Sequence, residues 1–202
     1  EAVKLMNLKH VVITSVDRDD LRDDYGAAIW SDTIRLTREM SPETTIEVLT
    51  PDFRDNDDSL HKVFNAHPDI FSHNIECVER ISKNVRPQSS WNRSKNVLKK
   101  SVSYGLNTKT GLMVGLGETD NEVIETMSEM ADIGVNIFNI GQYLQPTKNH
   151  LPVARYITPE RFEFFKDYGL NLGFSVVESG PLVRSSYHAD EQAKAHFHSH
   201  EN

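Results

Sequence analysis

The chain has 202 residues, a net charge of −8, 38% hydrophobic residues and 26% charged residues, a composition typical of one globular domain. The acidic balance excludes a general DNA- or RNA-binding role, which requires clustered Lys and Arg. No apolar run approaches the roughly 20 residues of a membrane span, and no signal peptide is visible.

Six short apolar runs alternate with longer amphipathic segments along the chain. This alternation predicts an α/β fold with a parallel sheet and outer helices, either barrel-like or doubly wound. Thr119 and Glu122 match a capping box, and Pro159 follows the helix cap Thr158. The predicted strands are 10–15, 45–49, 69–73, 110–116, 136–144 and 174–178. The predicted helices are 25–40, 57–66, 90–104, 119–133 and 158–172.

The chain is predicted to have a barrel core over residues 1–179 and a C-terminal segment over 180–202. Residues 1–8 read as the end of a helix, and the polar tail from His188 onward is expected to fray. In a βα barrel the chemistry lies on the loops that follow the strands. Cys77 is the only cysteine, which excludes an internal disulfide framework and fits a reducing compartment.

An acid-rich turn, TSVDRDDL, follows the first predicted strand over residues 14–21. Its three aspartates and one arginine are compatible with a ligand or metal site. Acidic residues are also typical of helix N-termini, where they interact favourably with the helix dipole. Composition alone favours this second interpretation.

A glycine-rich turn follows the fourth predicted strand, with Gly111, Gly115 and Gly117 ahead of Glu118 and Thr119. Glycine lets the backbone approach a ligand closely, and a helix N-terminus offers N–H donors. Tight turns between strands and helices also use glycine for steric reasons alone. The turn lacks the Gly-Lys-Ser/Thr ending of a P-loop.

The C-terminal block GPLVRSSYHA, residues 180–189, places two adjacent serines beside an arginine. These oxygens are candidate ligands, although a turn after a strand has the same composition. No Gly-x-Ser-x-Gly pattern marks a nucleophilic serine. The tail histidines are assigned to the frayed segment rather than to a metal site; they are His188, His196, His198 and His200.

Six blocks taken together resemble the lipoyl synthases, a family of radical S-adenosylmethionine (SAM) enzymes, in order and spacing. The resemblance extends over residues 1–194. The blocks are LKHVVITSVDRDDL (8–21), TPDFR (50–54), SHNIE (72–76), KTGLMVGLGET (109–119), GQYLQP (141–146) and GPLVRSSYHA (180–189).

The resemblance implies a partial TIM-like barrel of six βα units. In the family, a 4Fe–4S cluster held by three cysteines binds SAM. Cleavage of SAM yields a 5′-deoxyadenosyl radical. The radical removes hydrogen from C6 and C8 of an octanoyl group on a lipoyl carrier domain or H protein. A second 4Fe–4S cluster, held by three cysteines and one serine, donates the sulfur. A flavodoxin or ferredoxin as electron donor and a cytoplasmic, mitochondrial or plastid location are also implied.

The resemblance assigns roles to individual residues. The serine ligand is Ser186, with Ser185 as second choice, and Arg184 steadies an anionic ligand or the substrate. Gln142 and Tyr143 are expected to face the octanoyl chain. The expected SAM contacts lie at the ends of three strands and are Thr14, Ser15, Asp17, Asn74, Glu76, Gly111, Met113, Gly115 and Glu118.

The sequence departs from the family pattern in its cysteines, because Cys77 lies in neither expected motif. The first barrel strand has no counterpart either. We expect the missing parts to precede Glu1, so that these 202 residues alone bind neither cluster and are inactive. Two alternatives are a non-catalytic binding module and an unrelated βα-barrel enzyme acting on a phosphorylated metabolite. The glycine spacing disfavours the second alternative.

Overall fold

The computed structural model describes residues 1–198. Its strands are β1 (His10–Thr14), β2 (Thr45–Leu49), β3 (Ile70–Ser72), β4 (Thr108–Val114), β5 (Ile137–Gln142) and β6 (Val176–Gly180). Its helices are α1 (Ala2–Leu5), α2 (Ala27–Met40), α3 (Asp57–Phe64), α4 (Ser82–Val85), α5 (Trp91–Tyr104), α6 (Asp120–Ile133), α7 (Pro159–Leu172) and α8 (Ala189–His198). Within this range no helix combines the length and apolarity needed to cross a membrane.

The strands form one parallel sheet in chain order, from β1 at one edge to β6 at the other. The predicted parallel α/β fold is therefore confirmed, and all six predicted strands form at the expected places. The Thr119–Glu122 capping box is present at the start of α6. Because all strands run in the same direction, the loops that follow them meet at one end of the sheet.

The outer face of the sheet carries the hydrophobic core. On one half, Ile46 and Val48 of β2 pack against α2 and α3. On the other half, Leu112, Val114 and Phe138 pack against α6 and α7. Because side chains alternate along a strand, the residues between these positions point to the inside of the barrel.

The inner face holds a buried charged group below the open end of the barrel. The Nζ of Lys109 lies 2.9 Å from Oε1 of Glu47, and both side chains are fully buried. The Nε2 of His10 lies 3.6 Å from the same carboxylate. A buried carboxylate requires such a partner, since desolvation of an unpaired charge is costly.

The prediction that the tail frays from His188 onward is wrong for residues 189–198, which form α8. Ala193 and Phe197 pack against the first residues of β3, β5 and β6, at the closed end of the barrel. His196 is fully buried, and its ring nitrogens contact Ser175 Oγ and Asn107 Oδ1 at 2.7 and 2.9 Å. Helix propensity and a buried face therefore outweigh the polar composition. His200 lies outside the described residues.

Candidate functional site

A cavity of about 450 Å³ opens inside the barrel at the ends of the strands. Most of its wall is apolar, and polar atoms enter it from the ends of β3, β5 and β6. Seven of the predicted site residues come together here, from four separate blocks of sequence. They are Asn74, Glu76, Gly111, Met113, Gln142, Tyr143 and Arg184, with Ser185 as an eighth.

Glu76 lines three cavities, namely the main one and the two smaller ones beside it. Its backbone is left-handed, with a φ of 68°, an unfavourable conformation that tends to occur at functional sites. The Glu76 amide donates to the Gly111 carbonyl at 3.1 Å, and the Glu76 carbonyl accepts from Met113 at 2.8 Å. Burial raises the pKa of the Glu76 carboxyl, and the charge of Arg86 opposes that rise.

A polar cavity of about 210 Å³ continues from Glu76 towards β1. The predicted residues Thr14, Ser15 and Asp17 line it. Partial loss of solvent, followed by repulsion from Asp52 and Asp19, raises the pKa of Asp17. The acid-rich turn therefore faces a cavity and is not only a helix N-terminus.

Two residues that the sequence did not single out complete this polar cavity. Arg86 lines it and donates to the Asn74 carbonyl at 3.4 Å. Asp52 lines it as well, held by Arg93 at 3.0 Å. Asp52 belongs to the TPDFR block, but Arg86 lies in a segment without strand pattern or motif, and only the fold brings it here.

The glycine-rich turn is shaped by close packing. A Cβ on Gly111 would lie 3.1 Å from the Asn139 carbonyl oxygen. Gly115 has a φ of 99°, and a Cβ there would overlap the Gln142 side-chain amide and lie 2.6 Å from the Arg155 carbonyl oxygen. Only glycine fits at position 115 without displacement of these neighbours.

Three backbone amides of the glycine-rich turn and the α6 cap donate to carboxylates of the chain itself. The Glu118 carboxylate accepts from the Gly115 and Leu116 amides at 2.7 and 2.9 Å. The Thr119 amide donates to Glu122 at 2.7 Å. The Gly115 and Leu116 amides are therefore not open to a ligand, because the buried Glu118 carboxylate accepts from both; ligand binding by the first amides of α6 stays a prediction. The assignment of Glu118 as a direct SAM contact stays a prediction.

Gln142 and Tyr143 line the main cavity, but their polar atoms bind the protein. The Gln142 Nε2 donates to the carbonyls of Val114, Tyr143 and Arg155 at 3.2, 3.0 and 3.1 Å, and its Oε1 accepts from the Ile157 amide. The Tyr143 hydroxyl donates to the Leu151 carbonyl at 2.8 Å. The contact of these two residues with an octanoyl chain stays a prediction. It involves the side-chain carbon atoms of Gln142 and the ring of Tyr143.

The serine-bearing segment after β6 crosses the open end of the barrel. The Val183 carbonyl passes so close to Gly141 that a Cβ there would overlap it. The Asn139 Nδ2 lies 3.5 Å from the carbonyls of Arg184 and Ser185, as donor to both. Arg184 folds back, since its Nη1 donates to the Val183 carbonyl at 2.6 Å.

The two candidate serines occupy different environments. Ser185 is half-buried and lines the main cavity. Ser186 is exposed, and the segment around it turns away into α8. The choice of Ser186 over Ser185 as ligand stays a prediction, and the cavity lining places Ser185 nearer the site.

The chain's own residues do not fit a cysteine-held iron–sulfur cluster. Cys77 is buried in the core, and burial raises the pKa of its thiol to about 12, whereas metal binding requires a thiolate. Among residues 1–198, no three His, Cys, Asp or Glu side chains gather in a metal-binding arrangement.

SAM does fit the residues present. It carries a nucleoside and a zwitterionic amino-acid end. The apolar cavity with the close-approach glycine at 111 suits the nucleoside, and the carboxylates and arginine of the polar cavity suit the charged end. Glu76 connects the two cavities.

Comparison with known proteins finds relatives along nearly the whole chain. The chain is 52% identical to the lipoyl synthase of Parabacteroides distasonis over 95% of its own length and 68% of that protein. It is 53% identical to the lipoyl synthase of Rubrobacter xylanophilus, over 96% of the chain and 61% of that protein. The mitochondrial lipoyl synthase of Nematostella vectensis is 49% identical, over 94% of the chain and 65% of that protein.

Solved structures share the fold at low identity. Streptococcus suis SuiB bound to S-adenosylmethionine has a TM-score of 0.64 at 8% identity, over 84% of this chain and 39% of that one. HydG, a maturase of the [FeFe]-hydrogenase, has a TM-score of 0.67 at 12% identity, over 96% of this chain and 46% of that one. The family model of the radical SAM superfamily matches residues 1–130. The chain therefore belongs to the radical SAM superfamily and, within it, to the lipoyl synthase family.

Proposed function

We propose that this chain is the SAM-binding barrel of a lipoyl synthase, which inserts two sulfur atoms at C6 and C8 of a protein-bound octanoyl group. The observation that carries the proposal is the paired cavity joined at Glu76, apolar on one side and charged on the other. When bound and cleaved, SAM supplies the radical that removes hydrogen from the substrate. The roles of the chain's own residues are to bind, orient and enclose.

Arg86 binds the carboxylate of SAM, and Asp17 and Asp52 hold its amino group in the polar cavity. Glu76 and Asn74, where the two cavities meet, bind the ribose. Met113 packs against the adenine, with Gly111 leaving the space for it. These roles follow from charge and position, since an arginine beside carboxylates is suited to a zwitterionic ligand.

The substrate is an octanoylated lipoyl carrier domain or H protein, with a flavodoxin or ferredoxin as electron donor. Family membership implies iron–sulfur clusters, and we propose two of the 4Fe–4S type, one with a serine ligand from the segment at 184–187. The described residues supply no cysteine that fits either cluster. We propose a bacterial cytoplasmic setting, in keeping with bacterial relatives, or an organelle in a eukaryote, where one relative is named mitochondrial.

The SAM site is tested by calorimetric titration of the protein with SAM and with 5′-deoxyadenosine, which lacks the amino-acid end. Arg86→Met should weaken SAM binding about tenfold, equivalent to about 1.4 kcal/mol, and leave 5′-deoxyadenosine binding unchanged. Arg35→Met, which removes an exposed arginine of α2, is the control and should change neither. Equal SAM affinity of the Arg86 variant and the wild type would contradict the assignment.

The sulfur-insertion step is tested with the protein expressed from its complete gene, incubated anaerobically with iron, sulfide, SAM, a reductant and octanoylated H protein. Mass spectrometry of the H protein should show gain of two sulfur atoms. A protein that binds SAM yet takes up no iron and converts no substrate would instead support the alternative of a non-catalytic binding module.

A further inference from the structure

Two loops at the open end of the barrel are joined to each other. The first, the glycine loop, comprises residues 115–119 after β4. The second, the β5–α7 loop, comprises residues 143–158. The Ala154 amide donates to the Gly115 carbonyl at 2.8 Å, and the Arg155 carbonyl accepts from Gln142 at 3.1 Å. The first bond joins the two loops directly, and the second joins the β5–α7 loop to the end of β5.

The side chain of Arg155 makes a second link between these loops. Its Nη2 donates to Asp120 Oδ1 at 2.6 Å and lies 3.5 Å from Glu118 Oε1. The Glu118 side chain is fully buried, and its oxygens hold the Gly115 and Leu116 amides. Within residues 1–198, Arg155 is the cation that forms an ion pair with this carboxylate.

We propose that Arg155 is a positioning residue for the nucleoside part of the SAM site, which acts through Glu118 on the glycine loop. This inference rests on the proposed function, because it concerns the shape of the same cavity. Arg155 lines neither the main cavity nor the two cavities beside it. Its effect on ligand binding therefore comes through the protein.

The physical reason is the cost of an unpaired buried charge. Without Arg155, which is itself 38% exposed, the fully buried Glu118 carboxylate loses its ion pair, and a buried charge left without its partner is unfavourable. The carboxylate then turns towards solvent, which weakens its bonds to Gly115 and Leu116. Gly111 and Met113 line the main cavity and lie on β4, just before Gly115 and Leu116. Loss of the bonds that hold Gly115 and Leu116 therefore changes the shape of the cavity.

The chain offers a matched control in Arg161. Its Nε lies 3.0 Å from Oδ2 of Asp120, the same carboxylate that Arg155 contacts, and Arg161 does not pair with Glu118. Removal of Arg161 therefore removes a neighbouring ion pair, between α6 and α7, and leaves the Glu118 contact in place.

The test compares Arg155→Gln, Arg155→Lys and Arg161→Gln by titration with 5′-deoxyadenosine. Arg155→Gln should weaken binding about tenfold, Arg155→Lys should restore most of it, and Arg161→Gln should stay within about twofold of wild type. Thermal unfolding identifies any variant that fails to fold. Hydrogen exchange provides an independent measurement, since the Leu116 amide should exchange faster in Arg155→Gln and not in Arg161→Gln.

Wild-type affinity in a folded Arg155→Gln variant would overturn the positioning role, and so would equal losses in the Arg155→Gln and Arg161→Gln variants. A wild-type protein that binds no 5′-deoxyadenosine would refute the proposed function instead. In that case Leu116 exchange still decides whether Arg155 shapes the loop.

Discussion

The side-chain amide of Gln142 occupies the space that a Cβ on Gly115 would need. The same amide binds carbonyl oxygens at the end of β4, just after β5 and in the β5–α7 loop, through Val114, Tyr143 and Arg155. Two walls of the cavity are thus joined through a glutamine packed on a glycine. A polar side chain that the resemblance assigned to substrate contact also holds the site together.

Gly115→Ala should lower the free energy of unfolding by about 2–4 kcal/mol, because the new methyl group overlaps Gln142 in a left-handed backbone conformation. Gly105→Ala is the control, since Gly105 is also left-handed but has no neighbour within 4 Å of the added carbon. That change should cost only about 1 kcal/mol. Urea denaturation measures both, and equal losses would show that packing on Gln142 contributes nothing.

Glu76→Gln should stabilise the fold at neutral pH. Burial, partly opposed by Arg86, raises the pKa of Glu76 above its ordinary value, so the folded state binds the proton more tightly than the unfolded state. The free energy of unfolding therefore decreases as the pH rises from the ordinary carboxyl pKa through the folded-state pKa. The variant lacks this decrease and should match wild type only at acidic pH.

A pH series of urea denaturation curves measures the Glu76 effect. Glu43→Gln, at an exposed position, should leave the pH profile unchanged. A Glu76 variant that is less stable than wild type at neutral pH would contradict the expected sign.

Cys77 should resist alkylation in the folded protein. Burial raises the pKa of its thiol to about 12, which lowers the thiolate fraction roughly a thousandfold relative to an ordinary cysteine. Iodoacetamide labelling followed by mass spectrometry should show reaction in denaturant and almost none without it. Rapid labelling of the native protein would mean that the thiol is accessible and refute its place in the core.

Lys109→Met should lower the free energy of unfolding by about 3–5 kcal/mol, because the buried Glu47 loses its lysine and keeps only the longer contact with His10. The double change Glu47→Leu with Lys109→Met should restore most of this loss, since neither charge remains buried. Lys95→Met is the control, because it removes a partly exposed pair with Glu129 and should cost no more than about 1 kcal/mol. A double variant as unstable as the single one would show that the pair is not coupled.

Local patterns predicted the elements well, for physical reasons that act over short distances. The β-branched run at 10–15 and the capping box at Thr119 and Glu122 depend only on neighbours in the chain. The tail forms a helix against its polar composition, because the buried face of α8 exists only once Ala193 and His196 meet the closed end of the barrel. Composition gives the number of polar residues, but it does not indicate which of them are buried and hydrogen-bonded.

The sequence by itself determined the order of six βα units and the family, because both are carried by periodicity and by blocks of fixed spacing. Only the tertiary structure decided that the Glu118 carboxylate accepts hydrogen bonds from the amides of the glycine loop, and that Arg86 reaches the polar cavity. It also decided that Ser185 rather than Ser186 lines the main cavity. These outcomes depend on burial and on contacts between distant segments, and neither quantity exists until the chain has packed.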